Sequence, residues 1–310
     1  MTETARRPIL VGYDGSPQSR DALALATAIA GTSNAPLLLG WVEPVGPMDL
    51  PYDAILAPVQ DRAEDALHDV AEELRRGGLD VATHVGLFGS AARGLQELAE
   101  NESAAFVVVG SSHRGRIGRV FAGTVAARLL QGAPCPIAVA TRGLAADPGW
   151  SPVSIGLAYN GTSEARAALE QARALAVMTG GRVHVISVAE TLAAPHLIAE
   201  PEALERVARE QAQGWLDEAG ALLGTDVAVE PELGHGQPAM VLERASEHLD
   251  ILVVGSRGYG PIRRVLLGSV ATHIVAHSHC PVIVTPRSAS GGAEADGANP
   301  TRELIGTEPR

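Results

Sequence analysis

The sequence predicts an α/β protein built from two tandem, doubly wound domains, each with a five-stranded parallel sheet. Its 310 residues suit two domains of about 150 residues better than one. Short aliphatic runs alternate with Ala- and Leu-rich stretches of helical spacing, an order typical of a parallel sheet covered by helices. The chain also repeats itself, since residues 107–139 align without a gap with residues 252–284, at an offset of 145.

In the first half, a short aliphatic strand is followed by Ser16 and Pro17, which favour a helix start as N-cap and first helical residue. The second helix ends at Gly77-Gly78, a typical stop signal. Alternation predicts the third strand, and an uninterrupted aliphatic run predicts a buried fourth strand. The predicted elements, strand and helix in turn, are Ile9–Tyr13, Gln18–Ala30, Leu37–Val42, Val59–Arg76, Val81–Val85, Ala91–Glu100, Phe106–Val109, Gly123–Leu130 and Pro136–Ala140.

The second half repeats this order, and the segment from Ile155 resembles the segment from Ile9. Its predicted elements are Val153–Leu157, Glu164–Thr179, Val183–Val188, Pro201–Leu223, Val227–Val229, Ala239–His248, Ile251–Val254, Ser269–His277 and Val282–Thr285. Alternating strands and helices imply right-handed crossovers and a parallel sheet. Ligands of such sheets bind beyond the carboxyl ends of the strands, at the point where the strand order reverses.

Two domains and a tail follow from these elements. We place the first domain at residues 1–143 and the second at residues 150–287, with the linker in the Gly-, Ala-, Asp- and Pro-rich segment Thr141–Trp150. We expect residues 288–310 to form a disordered tail, because this polar and small-residue segment lacks apolar periodicity.

Composition narrows the classes of function. The formal net charge of −12 argues against a general nucleic-acid binder, which is usually basic. The two cysteines, Cys135 and Cys280, are too few for a disulfide framework and fit a reducing compartment, where we expect buried structural thiols. Because no apolar stretch approaches the length of a membrane span and no signal peptide is evident, we expect a cytoplasmic protein without membrane contact.

The strongest local motif lies in the second half, directly after the predicted strand Ile251–Val254. It reads Gly255-x2-Gly258-x9-Gly268-Ser269 and opens a predicted helix. Glycines let backbone N–H groups approach an anion closely, and a helix amino end favours phosphate. Three arginines accompany the loop: Arg257, Arg263 and Arg264. The alternative is a glycine-rich turn that only connects a strand to a helix.

The first half keeps the length of this loop but changes its residues. Gly110-Ser111-Ser112-His113 is followed, after nine residues, by Gly123-Thr124. His113 stands where the second glycine is expected, and Gly115 follows two positions later. The loop therefore either bends differently or binds more weakly.

An acidic residue ends the first predicted strand. Asp14 would lie opposite the loop in a switch-point crevice and could accept hydrogen bonds from a ribose or adenine group; the alternative is an Asx turn or helix cap within Asp14-Gly15-Ser16. The second half has Asn160 at this position, which is uncharged but still able to hydrogen-bond.

At these residues the sequence resembles the universal stress protein family, whose loop is written G-x2-G-x9-G-(S/T). The segment Val11–Ser16 resembles its first-strand signature, and the segments around Cys135 and Cys280 resemble its last strand. The resemblance covers nearly all of residues 8–287. It implies strand order 3-2-1-4-5 in each domain, ATP binding with Mg²⁺, and pairing of domains through strand five, within this chain and possibly in a homodimer.

The resemblance also implies where a nucleotide would lie. The adenine would lie near the end of strand two, and the phosphates would rest on the glycine-rich loop. We predict these nucleotide-binding residues: Gly12, Asp14, Val42, Gly110, Ser111, Gly115, Gly123, Thr124, Val125, Asn160, Val188, Gly255, Ser256, Arg257, Gly258, Gly268, Ser269 and Val270. The implied role is that of a nucleotide-dependent regulator of the stress response.

Other chemistries have less support. Every cation in the chain is an arginine, and without a P-loop lysine fast phosphoryl transfer is not expected. We therefore predict a protein that is not an enzyme, with no metal site; His273 and His277 lie four apart on a helix but have no acidic ligand in their sequence pattern. Two alternatives remain: a slow ATP-hydrolysing enzyme using Asp14, and an interaction module that binds no nucleotide.

Overall fold

The computed structural model describes residues 7–45, 52–112, 116–132, 134–190, 201–256 and 268–286. In the first unit, the elements are β1 Ile9–Gly12, α1 Pro17–Ser33, β2 Leu37–Pro44, α2 Tyr52–Arg76, β3 Val81–Phe88, α3 Ala91–Asn101, β4 Phe106–Val109, α4 Thr124–Leu130 and β5 Ile137–Val139. In the second unit, they are β6 Ser154–Ala158, α5 Ser163–Thr179, β7 Arg182–Glu190, α6 Pro201–Leu223, β8 Ala228–Gly236, α7 Pro238–Ala245, β9 Ile251–Gly255, α8 Ser269–His277 and β10 Val282–Thr285.

All these strands belong to one sheet, in the order β3-β2-β1-β4-β5-β10-β9-β6-β7-β8. Each unit thus has the strand order 3-2-1-4-5 that the resemblance implies, and the strands within a unit are parallel. The units meet where β5 pairs antiparallel with β10, with Ala138 opposite Ile283. The pairing through fifth strands therefore occurs inside this chain.

The core forms two apolar layers, one on each face of the sheet, and both layers run across the two units. One layer packs α1, α2, α5 and α6 against the sheet and includes Leu25, Leu67, Leu169 and Leu216. The other packs α3, α4, α7 and α8 and includes Leu95, Leu129 and Ile274. Because side chains alternate along a strand, neighbours such as Ile9 and Leu10 serve opposite layers, which explains the continuous aliphatic runs.

The edge strands extend beyond the predicted ranges. The prediction of a strand at Val227–Val229 was too short, since β8 continues to Gly236 and pairs only with β7. Most of its side chains are exposed or half-buried, so it lacks the apolar pattern on which the prediction relied, and it carries Pro231, which an edge strand tolerates. Likewise α2 begins at Tyr52, before Pro58, which lies inside the helix.

The segment between the units is ordered and packed. A short 3-10 helix, Leu144–Ala146, buries Leu144 against α1. The buried carboxylate of Asp21 on α1 accepts hydrogen bonds from the N–H groups of Gly143 at 2.8 Å and Ala145 at 2.9 Å. The predicted linker is thus anchored to the first unit, while the predicted tail, residues 288–310, lies outside the described residues.

Candidate functional site at the switch points

The strand order reverses between β1 and β4 in the first unit and between β6 and β9 in the second. The chain leaves β1 toward β2 on one side and leaves β4 toward β5 on the other. The loops that follow these strands diverge and open a crevice at their carboxyl ends, the usual ligand position in such sheets. Gly12, Gly110 and Gly255 all lie at these strand ends.

Asp14 and Asn160 both form Asx turns at this crevice. Asp14 Oδ1 accepts a hydrogen bond from Ser16 N at 3.0 Å, and Asn160 Oδ1 accepts one from Thr162 N at 3.4 Å and another from the Thr162 hydroxyl at 2.8 Å. The glycine that follows each residue has a positive φ, of 75° at Gly15, which glycine adopts without strain. Both side chains are exposed. The turn thus uses Oδ1 of Asp14, and no hydrogen bond of its Oδ2 to another described residue is found.

The glycines at the strand ends are required for packing. A methyl group at Gly110 would overlap the backbone carbonyl oxygen of Gln18, in the first turn of α1. At Gly255 it would lie 2.7 Å from the backbone of Glu164, in the first turn of α5. Gly12, at the end of β1, is less constrained, since a methyl group there would lie 2.9 Å from the end of the Leu95 side chain, which can move. Gly110 and Gly255 thus bring the amino end of a helix against the end of strand four, whatever ligand lies beyond.

The loop after β4 closes on itself in the first unit. Ser112 N donates to the Phe121 carbonyl at 2.7 Å. The buried hydroxyl of Ser111 donates to the Ala140 carbonyl at 2.7 Å and accepts from Phe121 N at 3.2 Å. The Ser111 side chain is therefore used inside the protein, although it was predicted to bind nucleotide. Gly115, also predicted, lies outside the described residues, as does His113.

The second unit begins its loop differently. Ser256 N donates to the Thr285 carbonyl at 2.9 Å, but the buried hydroxyls of Ser256 and Thr285 have no hydrogen-bond partner among the described residues. Arg257 and Gly258, both predicted to bind phosphate, lie outside the described residues. Among the described residues, Ser256 thus does not reproduce the bond that the Ser111 hydroxyl donates to the carbonyl after strand five.

The helices that follow both loops begin without a side-chain cap. Gly123 precedes α4 and Gly268 precedes α8, both with extended backbone and no capping hydrogen bond. By contrast, hydroxyl oxygens of Ser16, Ser90 and Thr162 cap α1, α3 and α5. The predicted binding residues Thr124, Val125, Ser269 and Val270 form the first turns of the uncapped helices. Their N–H groups point toward the amino end, where an anion is favoured.

The amino end of α4 lies beside the end of β4. A methyl group at Gly123 would be 3.5 Å from Ser112 Cβ, an ordinary van der Waals contact. Since Gly110 touches the first turn of α1, the amino ends of two helices converge at the carboxyl end of this strand. Of these two ends, the uncapped start of α4 has free N–H groups of the kind that suit an anion.

Val42 and Val188 lie on β2 and β7, the strands beside β1 and β6. Both are partly buried in the layer that contains α3 and α7. Sequence reasoning missed Trp41, whose ring lies 3.9 Å from the position of a methyl group at Gly15 and whose indole N–H donates to Glu43 at 3.3 Å. Alignment of the two halves could have drawn attention to it, because the equivalent residue of the second unit is a serine, Ser187, and the halves therefore differ here. The Ser187 hydroxyl donates to the Tyr159 carbonyl.

Glu243 and His273 form a half-buried pair, with 2.6 Å between Oε2 and Nε2. The prediction found no acidic partner for His273, and the fold supplies one from α7. The hydrogen bond from His273 lowers the pKa of Glu243, with help from the charge of Arg119 and against the effect of burial. Among the described residues, no group of three or more His, Cys, Asp or Glu is placed to hold a metal ion.

Both cysteines are buried and free. Burial raises the pKa of the Cys135 thiol to about 12, and that of the Cys280 thiol also to about 12. Both groups are therefore protonated thiols at neutral pH and poor nucleophiles.

Comparison with known proteins gives one family. The model of the universal stress protein family matches residues 5–141 and again residues 154–286. A universal stress protein of Mycobacterium tuberculosis is 29% identical over 296 residues, which cover 90% of this chain and 99% of that protein. One from Thermus aquaticus is 35% identical over 133 residues, 41% of this chain and 94% of the relative.

A solved universal stress protein from Archaeoglobus fulgidus has the same fold. It matches with a TM-score of 0.67 and 19% identity, over 93% of this chain and 100% of that structure. Of the helices described, none combines the length and the apolar character needed to cross a bilayer.

Proposed function

Because this chain belongs to the universal stress protein family, we propose that it binds an adenine nucleotide, ATP with Mg²⁺, at its switch points and acts as a nucleotide-dependent regulator of the stress response. The observation that carries the proposal is the convergence of helix amino ends at the carboxyl end of strand four, beside the exposed carboxylate of Asp14. The uncapped N–H groups of α4 suit phosphate oxygens, and the carboxylate suits a ribose hydroxyl.

The residues present fit the phosphates better than a protein-held metal ion. The described residues contain no ready-made cluster of metal ligands, so a Mg²⁺ ion would arrive with the nucleotide and be held mainly by its phosphates. It would offset the negative charge of the phosphates next to Asp14. The protein's own part is to orient the nucleotide with amides and a carboxylate.

The sharpest test adds a negative charge without harming the fold. Aspartate is a favourable N-cap, and a methyl group at Gly123 meets only ordinary contacts. Gly123→Asp should therefore cap α4, retain stability and repel phosphate from the first site. Gly268→Asp should do the same in the second unit, where Gly268 precedes α8. Calorimetric titration with Mg-ATP should then give a stoichiometry of two for the wild type, one for each variant and zero for the double variant.

The matched control is Gly214→Asp, on the outer helix α6, where a methyl group meets nothing within 4 Å. It adds the same charge away from both crevices and should leave binding unchanged. Wild-type protein that binds neither ATP nor AMP at millimolar concentration would overturn the proposal. Equal losses in the control and in the two site variants would show a general charge effect instead.

We propose no catalytic turnover for this site. Asp14 is the acidic residue at the first crevice, and its Oδ1 already holds the turn through Ser16 N. ATP hydrolysis measured at saturating Mg-ATP should be the same for wild type and Asp14→Asn. Turnover that disappears in this variant while nucleotide remains bound would identify a slow ATPase.

A further inference from the structure

Part of the loop after β4 is bound to the second unit. Val120 N donates to the Ser278 carbonyl at 2.8 Å, and Ala122 N donates to the Val275 carbonyl at 2.7 Å. These carbonyls lie at the carboxyl end of α8, where helix carbonyls lack intrahelical partners. Val120 itself is fully buried in the layer shared by both units. Two amides of the first unit's loop thus complete the end of a helix in the second.

Side chains reinforce this contact. Arg119 Nη1 lies 3.4 Å from Glu243 Oε1 and donates to the His277 carbonyl, also at 3.4 Å. Glu243 in turn holds His273 through its other oxygen, and His273 stacks on His277 with ring centroids 4.3 Å apart. A cation at a helix carboxyl end is favoured by the helix dipole. Arg119 is therefore committed to α7 and α8.

The remaining amides of this stretch are also occupied by protein acceptors. Gly118 N donates to the Arg142 carbonyl at 2.9 Å, and Arg119 N donates to the Arg116 carbonyl at 3.2 Å. Phe121 N is bound by the Ser111 hydroxyl. From residue 118 to residue 122, every backbone N–H has a partner inside the protein. These five amides are therefore not available to an anion, and the backbone of this stretch holds the two ends of the loop in place.

We propose that residues 116–122 act as a strap that ties the loop after β4, in the first unit, to α7 and α8 of the second unit. In this arrangement Glu243 and His273 are remote positioning residues for the first nucleotide site. The linkage to nucleotide rests on the proposed function. The strap runs directly into Gly123 and the uncapped start of α4, so release of its contacts frees that helix start to move. By reciprocity, nucleotide in the first site strengthens the contact between the units.

The first experiment tests in the absence of nucleotide whether the strap is held by these contacts. Arg119→Ala and Glu243→Ala break the contact from its two sides; Arg93→Ala is the control, because it breaks the exposed Arg93–Glu97 pair of α3. Hydrogen exchange at the amides of Val120 and Ala122 should become roughly tenfold faster in the first two variants, because their protection depends on local opening. It should not change in the control. Unchanged exchange in both strap variants overturns the strap.

The second experiment measures how loss of the strap contact changes the affinity of each site for Mg-ATP. Glu243→Ala is combined with Gly268→Asp, so that only the first site can bind nucleotide. It is also combined with Gly123→Asp, so that only the second site can bind. Titration with Mg-ATP should show Kd of the first site raised roughly fivefold and Kd of the second site raised clearly less, since Glu243 also holds His273 on α8, the helix that begins at the second site. Glu243→Gln, which keeps an oxygen acceptor toward Arg119, should restore part of the affinity.

The outcomes separate the two proposals. Equal shifts at both sites, or no shift at either, overturn the linkage. Wild-type protein that binds no nucleotide overturns the proposed function, and the exchange rates at Val120 and Ala122 then still decide whether the strap exists.

Discussion

The two units share strand order but differ in how they arrange the loops around their crevices. In the first, the Ser111 hydroxyl ties the loop to β5 and Trp41 lies beside the turn at Asp14. In the second, the hydroxyl of Ser256 has no partner among the described residues, and Ser187 replaces the tryptophan. The duplicated framework is thus retained, while the hydrogen bonds made by the described residues around each crevice differ. The two sites are therefore expected to differ in affinity, and single substitutions can test where the units differ.

The largest effect is expected where a strand end meets a helix. Gly110→Ala should lower the free energy of unfolding by about 3 kcal/mol, because the added methyl group meets the backbone of Gln18. Gly255→Ala should cost less, since its contact with Glu164 is longer. Gly31→Ala, in open space on α1, should stabilise by about 0.5 to 1 kcal/mol. Urea denaturation would measure all three; equal costs at Gly110 and Gly255 would contradict a difference in packing.

A smaller loss is expected at the linker, which Asp21 anchors to the first unit. Asp21→Ala should lower the free energy of unfolding by about 2 kcal/mol, because two buried N–H groups lose a charged acceptor. The second unit has Ala167 at the corresponding position. The control, Asp147→Ala, removes an exposed carboxylate whose one bond to Gly149 N is 3.3 Å long. Thermal or urea unfolding that shows the same loss in both would argue against the linker's role.

A third difference concerns the tyrosine that follows strand one. Tyr159 donates to Glu218 at 2.9 Å, and burial together with this bond raises the pKa of Tyr159 to about 12. Tyr159→Phe should cost about 1 kcal/mol. Tyr13→Phe should cost less than about 0.5 kcal/mol, because no hydrogen bond joins the Tyr13 hydroxyl to the described residues around it. Chemical denaturation of the two variants, each against wild type, tests this order.

The smallest effect is a pH dependence at the strap. The pKa of Glu243 is lowered from its ordinary value of 4.5 by His273 first, with His277 and Arg119 adding favourable charge and burial opposing. A lowered pKa means stability that is present above pH 4.5 and is lost as the pH falls through the folded-state pKa. The stability difference between wild type and Glu243→Gln should therefore be larger at pH 7 than at pH 4. A difference that does not change with pH would contradict this pairing.

Much of the fold could be predicted because burial leaves a strong pattern. The aliphatic runs at β4 and β9 are continuous since both faces of the sheet are covered. The prediction was weakest at the edge strand β8, where exposed side chains remove that pattern. At the site, the turns at Asp14 and Asn160 follow from local residue types. The contact between Arg119 and Glu243 could not be predicted in this way, because the two residues are distant in sequence.

By itself, the sequence determined the duplication, the alternating order of strands and helices, and the positions of the loops that end strands one and four. These properties depend on local residue types and on periodicity, which are read directly along the chain. Only the tertiary structure decided that Gly110 is needed to seat α1, that Asp21 anchors the linker, and that five consecutive loop amides have protein acceptors. The reason is that these contacts join backbone groups far apart in sequence, and a backbone amide or carbonyl is the same in every residue that could supply it.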